Sequence, residues 1–249
     1  MNDIIVLWAT PRSTSTAFEW MMRMRGDMAC FHEPFGEAWY QGDEARWPRL
    51  APDSPRTPGL TFASVLARLK DAAANKKVFS KDMPQFTDHL WSNEFLGHFK
   101  HSFLIRHPAK VLTSVHRNWP EFDRREIGFD VQRRLFDRIA DETGEPPPLI
   151  DSDDLLEDPH GLVEVYCNAV GVPFIPEALS WEPGERREVL WYDTNSVWHE
   201  NLKNSDGLKP QPRKDADISA TPQWVQDMYA EFLPHYEHMR AHRLTALRD

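Results

Sequence analysis

The sequence predicts an α/β fold: a mostly parallel sheet with helices on both faces, forming a three-layer sandwich. Three observations carry this. Short runs of branched apolar residues recur along the chain, segments with apolar residues at helical spacing stand between them, and Pro, Gly or Ser/Thr marks the junctions. Strand alternating with helix is the pattern of a doubly wound parallel sheet, because each parallel pairing needs a crossover that returns the chain over one face.

The first run, residues 4–8 (Ile-Ile-Val-Leu-Trp), is apolar without alternation, as a strand buried on both faces would be. It stops at Thr10-Pro11. Residues 17–24 have helical composition and Gly26 stops them. Residues 28–31 read as a second strand ending at His32-Glu33-Pro34-Phe35. Residues 36–59 are dense in Trp, Pro, Arg and Asp and read as a long irregular excursion. Thr61 caps a helix over residues 62–74, with Phe62, Val65, Leu66 and Leu69 on one face. Residues 77–82 form a strand ending in charge. Residues 101–105 form another, ending at Arg106, and Pro108 opens the next helix. A helix over residues 126–143 buries Phe129, Leu135, Phe136 and Ile139, until Gly144 and three prolines break it. Leu149-Ile150 is a short strand leading into Asp151, and residues 159–170 are helical. Residues 221–242 are a last helix, kinked or split at Pro234. The polar stretch 201–220 reads as a flexible lid.

A formal charge of −10 and a pI of about 5.6 argue against DNA or another polyanion as the main partner. Cys30 and Cys167 match no metal spacing and read as ordinary thiols. Met1-Asn2-Asp3 is acidic, the run after it is too short for a signal core, and no apolar stretch approaches ~18 residues. The expectation is a cytoplasmic protein with no membrane partner.

The most informative segment is Pro11-Arg12-Ser13-Thr14-Ser15-Thr16, between the first strand and the first helix. A helix start offers unpaired N–H groups and the positive end of the helix dipole, so it suits an anion. Four hydroxyls and one arginine there can hold a phosphate without a metal, the guanidinium binding in bidentate fashion. A nucleotide triphosphate loop would need Gly-x-x-x-x-Gly-Lys-Ser/Thr, whereas this chain has no glycine before Gly26. By itself the run is equally readable as a Ser/Thr-rich helix cap with a surface arginine.

The segment resembles the 5′-phosphosulfate-binding loop of the sulfotransferases that use 3′-phosphoadenosine 5′-phosphosulfate (PAPS), where Pro-Lys/Arg-Ser-Gly-Thr/Ser-Thr follows the first strand. It departs at Thr14, where the family usually has Gly; either Thr14 takes a backbone conformation that glycine adopts easily, or the loop is slightly reshaped. Further on, Arg106, Pro108, Val111 and Ser114 fall on the family's Arg-x-Pro-x-x-Val-x-Ser pattern, whose Arg and Ser hold the donor's 3′-phosphate. Residues 150–159 are similar to the family's Tyr-Glu-Asp-Leu-x-x-Asp-Pro segment, read as scaffold in which Asp154 and Asp158 cap or pair. Lys203 and Lys209 stand where the family has a donor-covering loop and are candidates for the 3′-phosphate, though solvated lysines would look the same.

The resemblance spans roughly residues 4–209. It implies a single domain over 1–249 with a P-loop-like phosphosulfate-binding loop, an acceptor-side loop around 34–60 and a lid around 198–220. It implies PAPS as co-substrate, no metal, and a small-molecule acceptor, with the chain a monomer or homodimer. Arg12 is the expected cation at the bridging and sulfuryl oxygens. The base that takes the acceptor's proton is Glu33 or Asp82, with His32 a third candidate expected to point away on an extended strand. Lys81 adds charge near the sulfate. Trp39, Tyr40, Trp47, Trp191, Tyr192 and Trp198 offer aromatic walls for the acceptor, and the acid surplus suits a cationic or zwitterionic one. Two other readings stand beside this one: a nucleotide kinase or triphosphatase, and a non-catalytic nucleotide-binding protein of the same fold.

Overall fold

The first strand, β1 (Ile4–Ala9), is fully buried, and its side chains divide between two cores. Ile4, Val6 and Trp8 enter one cluster, Ile5, Leu7 and Ala9 the other. Alternate Cβ atoms point to opposite faces of a strand, so only continuous apolarity can satisfy both. The computed structural model of the chain describes residues 3–46, 56–189, 200–213 and 215–246.

Four further strands, β2 (Met28–His32), β3 (Lys77–Asp82), β4 (Lys100–Ile105) and β5 (Leu149–Asp151), join β1 in one sheet of order β2-β3-β1-β4-β5. All its pairings are parallel. From β1 the chain winds first towards β2 and β3, then crosses to β4 and β5, so its direction reverses between β1 and β4.

The helices after those two strands lie on opposite faces. α1 (Ser15–Met24) buries Phe18, Met21 and Met22 in one core, with α8 (Ser152–Glu157) and α9 (Pro159–Ala169). α5 (Pro108–Asn118) buries Val111, Leu112 and Val115 in the other, with α3 (Phe62–Asn75), α7 (Phe129–Thr143) and α11 (Gln223–Arg240). The carboxyl ends of β1 and β4 therefore open into a crevice flanked by two helix starts, the usual ligand position in an open α/β sheet.

Several expectations need correction. Residues 36–59 are not wholly irregular: α2 (Pro34–Gln41) opens the segment, with Phe35, Ala38, Trp39 and Tyr40 in the core. The helix expected over 126–143 is two, α6 (Arg124–Ile127) and α7, because Gly128 takes φ 70° between them. α11 runs through Pro234 as one helix. Between β3 and β4 stands the short α4 (Asn93–Leu96). The expected lid is partly pinned: α10 (Glu200–Lys203) is short, but its Leu202 and the later Leu208 are buried, and Gly207 bridges to Ser180. Among the described residues no helix is long and apolar enough to cross a membrane.

Candidate functional site

Three non-glycine residues have positive φ among those described: Arg12 (59°), Thr14 (71°) and Glu33 (44°). All lie just beyond strand ends on one rim of the sheet. A left-handed non-glycine residue costs energy and persists only where its surroundings enforce it, so such residues gather at working sites.

Two of them shape the turn from β1 to α1. Ser13, wholly buried, donates its hydroxyl to the Thr10 carbonyl at 2.6 Å and closes the turn. Thr14 is the N-cap of α1, but its side chain makes no capping bond; its Oγ1 lies 2.7 Å from Ser152 Oγ. The first-turn N–H groups, which have no intrahelical acceptor, are thus left to the rim rather than to Thr14. Left-handed residues on either side of Ser13 turn successive N–H groups into a concavity suited to an anion. Ser15 is buried in the helix start; Pro11 and Thr16 are half-buried beside it.

The second motif is brought to this turn. Arg106, after β4, donates from Nη1 to the Arg12 carbonyl at 2.7 Å, and Arg12 Nε donates to Ser114 Oγ on α5 at 3.0 Å. Residues 102 apart in sequence, Arg12 and Ser114, are therefore in contact. Burial, then Arg106 and Arg117, draws the Arg12 guanidinium below its ordinary range. Burial does the same to Arg106, partly offset by Asp153 and Asp151. Arg106 Nε is buried and has no partner among the described residues. Two crowded guanidiniums, one with an unused buried donor, make a place where an anion would relieve a real electrostatic cost. Arg117, one helical turn after Ser114, is a third cation here that motif reading missed; its only sequence signal was the i,i+3 spacing.

The third positive-φ residue belongs to a buried charge cluster. Glu33 is the N-cap of α2, with Pro34 at its first position. Lys81 Nζ donates to Glu33 Oε1, and Glu33 N–H to the Lys81 carbonyl at 2.7 Å. His32 does face away, towards α1, where Nδ1 lies 2.6 Å from Glu19 Oε2. Its Nε2 is nevertheless 3.9 Å from Glu33 Oε1, because the left-handed backbone at Glu33 breaks the strand's alternation. Glu19, fully buried, also accepts from Arg23 at 2.7 Å. A glutamate in an amphipathic helix carries no sequence signal for such a role; only the crossing of α1 over β2 creates it.

Asp82, the alternative base, faces the other core. Its Oδ2 accepts from Phe35 N–H at 2.9 Å and its Oδ1 from Met83 N–H at 3.1 Å. Burial pushes this carboxyl well above the usual range, with the Phe35 N–H partly opposing. It serves as an anchor for α2, which removes it from the rim. Trp39 and Tyr40 are likewise core residues rather than acceptor walls. Trp47, Trp191, Tyr192 and Trp198 lie outside the described residues. Lys203 pairs with Glu185 at 2.5 Å and Lys209 with Asp206 at 2.5 Å, all four side chains exposed. Asp158 caps α9 through Gly161 N–H, and Asp154 pairs with Arg213 and Arg243. Among the described residues no group of three or more His, Cys, Asp or Glu is arranged to hold a metal ion.

A family profile described as "Sulfotransferase domain" matches residues 3–243. Among curated proteins, "Branched-chain-amino-acid aminotransferase-like protein 2" of Arabidopsis thaliana is 26% identical over 254 residues, 96% of this chain and 42% of that protein. "Branched-chain-amino-acid aminotransferase-like protein 1" from the same plant is 23% identical, with the same coverage. The chain spans less than half the length of these two relatives. "Sulfotransferase ppzF" of Metarhizium rileyi is 25% identical over 63% of this chain and 56% of its own. A solved sulfotransferase from Alicyclobacillus acidocaldarius superposes with a TM-score of 0.53 at 14% identity, covering 98% of this chain and 97% of that one. The sulfotransferase domain of the curacin biosynthetic pathway gives 0.51 at 15% identity, covering 93% and 97%. These two likenesses speak for the fold.

Proposed function

Since the chain belongs to the sulfotransferase domain family, we propose that it transfers a sulfuryl group from PAPS to a hydroxyl or amine of a small-molecule acceptor, releasing 3′-phosphoadenosine 5′-phosphate. The observation that carries this reading is the contact between the two anion motifs at the reversal point of the sheet: Arg106 on the Arg12 carbonyl, Arg12 on Ser114.

The turn Pro11–Thr16 and the start of α1 hold the 5′-phosphosulfate, and Arg106 with Ser114 holds the 3′-phosphate. The donor supplies the sulfuryl group: its sulfur–oxygen bond to the 5′-phosphate breaks as the acceptor oxygen or nitrogen bonds to sulfur. Arg12 takes the charge that gathers on the departing oxygen. Stabilising that charge in a site built beforehand is the protein's main contribution. Glu33 receives the acceptor's proton. Lys81 offsets the burial of the Glu33 carboxylate, and the Glu19–His32 pair fixes the ring beside it. Asp82 sets the start of α2 and thereby the backbone of Glu33. An acid-rich chain of charge −10 suits a cationic or zwitterionic acceptor.

The test is calorimetric titration with 3′-phosphoadenosine 5′-phosphate in the absence of magnesium, on the protein and on Arg106→Ala, with ATP as control. Micromolar binding that Arg106→Ala abolishes, and that ATP does not reproduce, supports the reading. Failure of the phosphoadenosine alongside tight binding of ATP with magnesium would sink it in favour of a nucleotide kinase or triphosphatase.

A further inference from the structure

Thr14 poses a conformational problem within the donor turn. It is β-branched, yet stands at φ 71°, ψ 4°, where the Cβ of such a side chain crowds its own backbone. A threonine at an N-cap ordinarily turns its hydroxyl onto the helix N–H groups. Here that bond is absent, and the hydroxyl goes to Ser152 instead, at 2.7 Å.

Ser152 is itself immobilised. It is wholly buried at the junction of β5 and α8. The preceding residue, Asp151, accepts from Asp153 N–H at 2.7 Å as the cap of α8, and from Tyr236 OH of α11 at 2.7 Å. The next residue, Asp153, accepts from Lys110 on the first turn of α5 at 2.7 Å. Two adjacent side chains therefore reach the two halves of the donor site: Ser152 the turn at Thr14, and Asp153 the helix that follows Arg106.

We propose that Ser152 is a positioning residue of the donor loop. Its hydroxyl holds Thr14 in the left-handed conformation, so that the N–H groups of the turn converge before any ligand arrives. The hydroxyl pair does by tertiary contact what a glycine would do by lacking a Cβ. The role as stated for the donor rests on the function proposed above; the effect on the turn does not.

The test compares Ser152→Ala with the unaltered protein by amide hydrogen exchange, without ligand, and by calorimetry with 3′-phosphoadenosine 5′-phosphate. Exchange at residues 13–16 should rise about fivefold, the usual worth of one hydrogen bond, and the dissociation constant should rise by about the same factor. Protection in β1 and α7 should not change. On a Thr14→Gly background, Ser152→Ala should alter neither quantity. Loop exchange unchanged in Ser152→Ala would overturn the proposal. So would faster exchange throughout the molecule, or an equal loss of affinity on the glycine background, since both would make Ser152 a general packing residue. If loop exchange responds as described but the unaltered protein does not bind the phosphoadenosine, the positioning role stands and the donor assignment fails.

Discussion

Arg12, Thr14 and Glu33 are left-handed without being glycine, and each such residue costs about 1–3 kcal/mol. Their neighbours hold them: Arg106 on the Arg12 carbonyl, Ser152 on Thr14, Lys81 on Glu33. Glu33→Gln should lower turnover by about 10²–10⁴ while leaving phosphoadenosine affinity intact, because it removes a proton acceptor and no donor contact. Steady-state rates with an acceptor in hand, set against calorimetry, separate the two. Glu19 invites a test by pH. Burial alone would raise its carboxyl, but His32, Lys81 and Arg23 hold it down at about 2, against 4.5 for the free group. A folded value below the unfolded one stabilises above pH 4.5 and is lost as pH falls towards 2. Glu19→Gln should remove a contribution on the order of 3 kcal/mol at neutral pH and flatten the acid limb. Denaturant melts between pH 2 and 7 would show an unchanged slope if that coupling were absent.

At the scale of elements, α2 is the instructive miss. Pro34, Phe35, Gly36, Ala38, Trp39 and Tyr40 are all buried, so the helix's only polar signal is the pair Glu37 and Gln41, one turn apart, and the helix is started by Asp82 from β3. Asp82→Ala should strip acceptors from the buried N–H of Phe35 and the half-buried N–H of Met83, at a cost of about 2–4 kcal/mol, and should loosen Glu33 as well. A loss of stability with no loss of activity would count against Asp82 as the anchor of the Glu33 turn. The break between α6 and α7 rests on Gly128, at φ 70°, where an added Cβ would meet Gln85 Oε1 at 2.5 Å. Gly128→Ala combines an unfavourable φ with that clash and should cost about 1–3 kcal/mol. For a domain of this size that is a fall in Tm of roughly 2–12 °C, readable by calorimetric scanning.

For the whole molecule, the reversal between β1 and β4 sends α1 and α5 to opposite faces and leaves their starts on either side of one crevice. A ligand bound there ties both cores together. At a hundredfold excess over its dissociation constant, 3′-phosphoadenosine 5′-phosphate should stabilise the protein by about 2.7 kcal/mol and raise Tm by roughly 5–10 °C. Thermal scans in which Arg106→Ala keeps that rise would place the ligand elsewhere.

Local chemistry made some things readable without a structure. The continuous apolarity of β1, the cap at Thr61 and the charges at the ends of β3 and β4 are written in short windows, because strand burial leaves a run of apolar residues and a helix cap is satisfied by neighbours in sequence. The turn at Pro11–Thr16 and the Arg106–Ser114 spacing were legible through their resemblance to a family pattern, which left two outcomes open at Thr14, a glycine-like backbone or a reshaped loop; the structure has the first, at φ 71°. What only the tertiary structure decided is everything settled by residues far apart. Glu19 meets His32 because α1 crosses β2, and Ser152 meets Thr14 across a separation of 138 residues. Asp82 is spent on the backbone while Glu33 keeps the rim. A buried carboxylate takes its role from whichever donors surround it, and those are chosen by the fold rather than by the residues beside it.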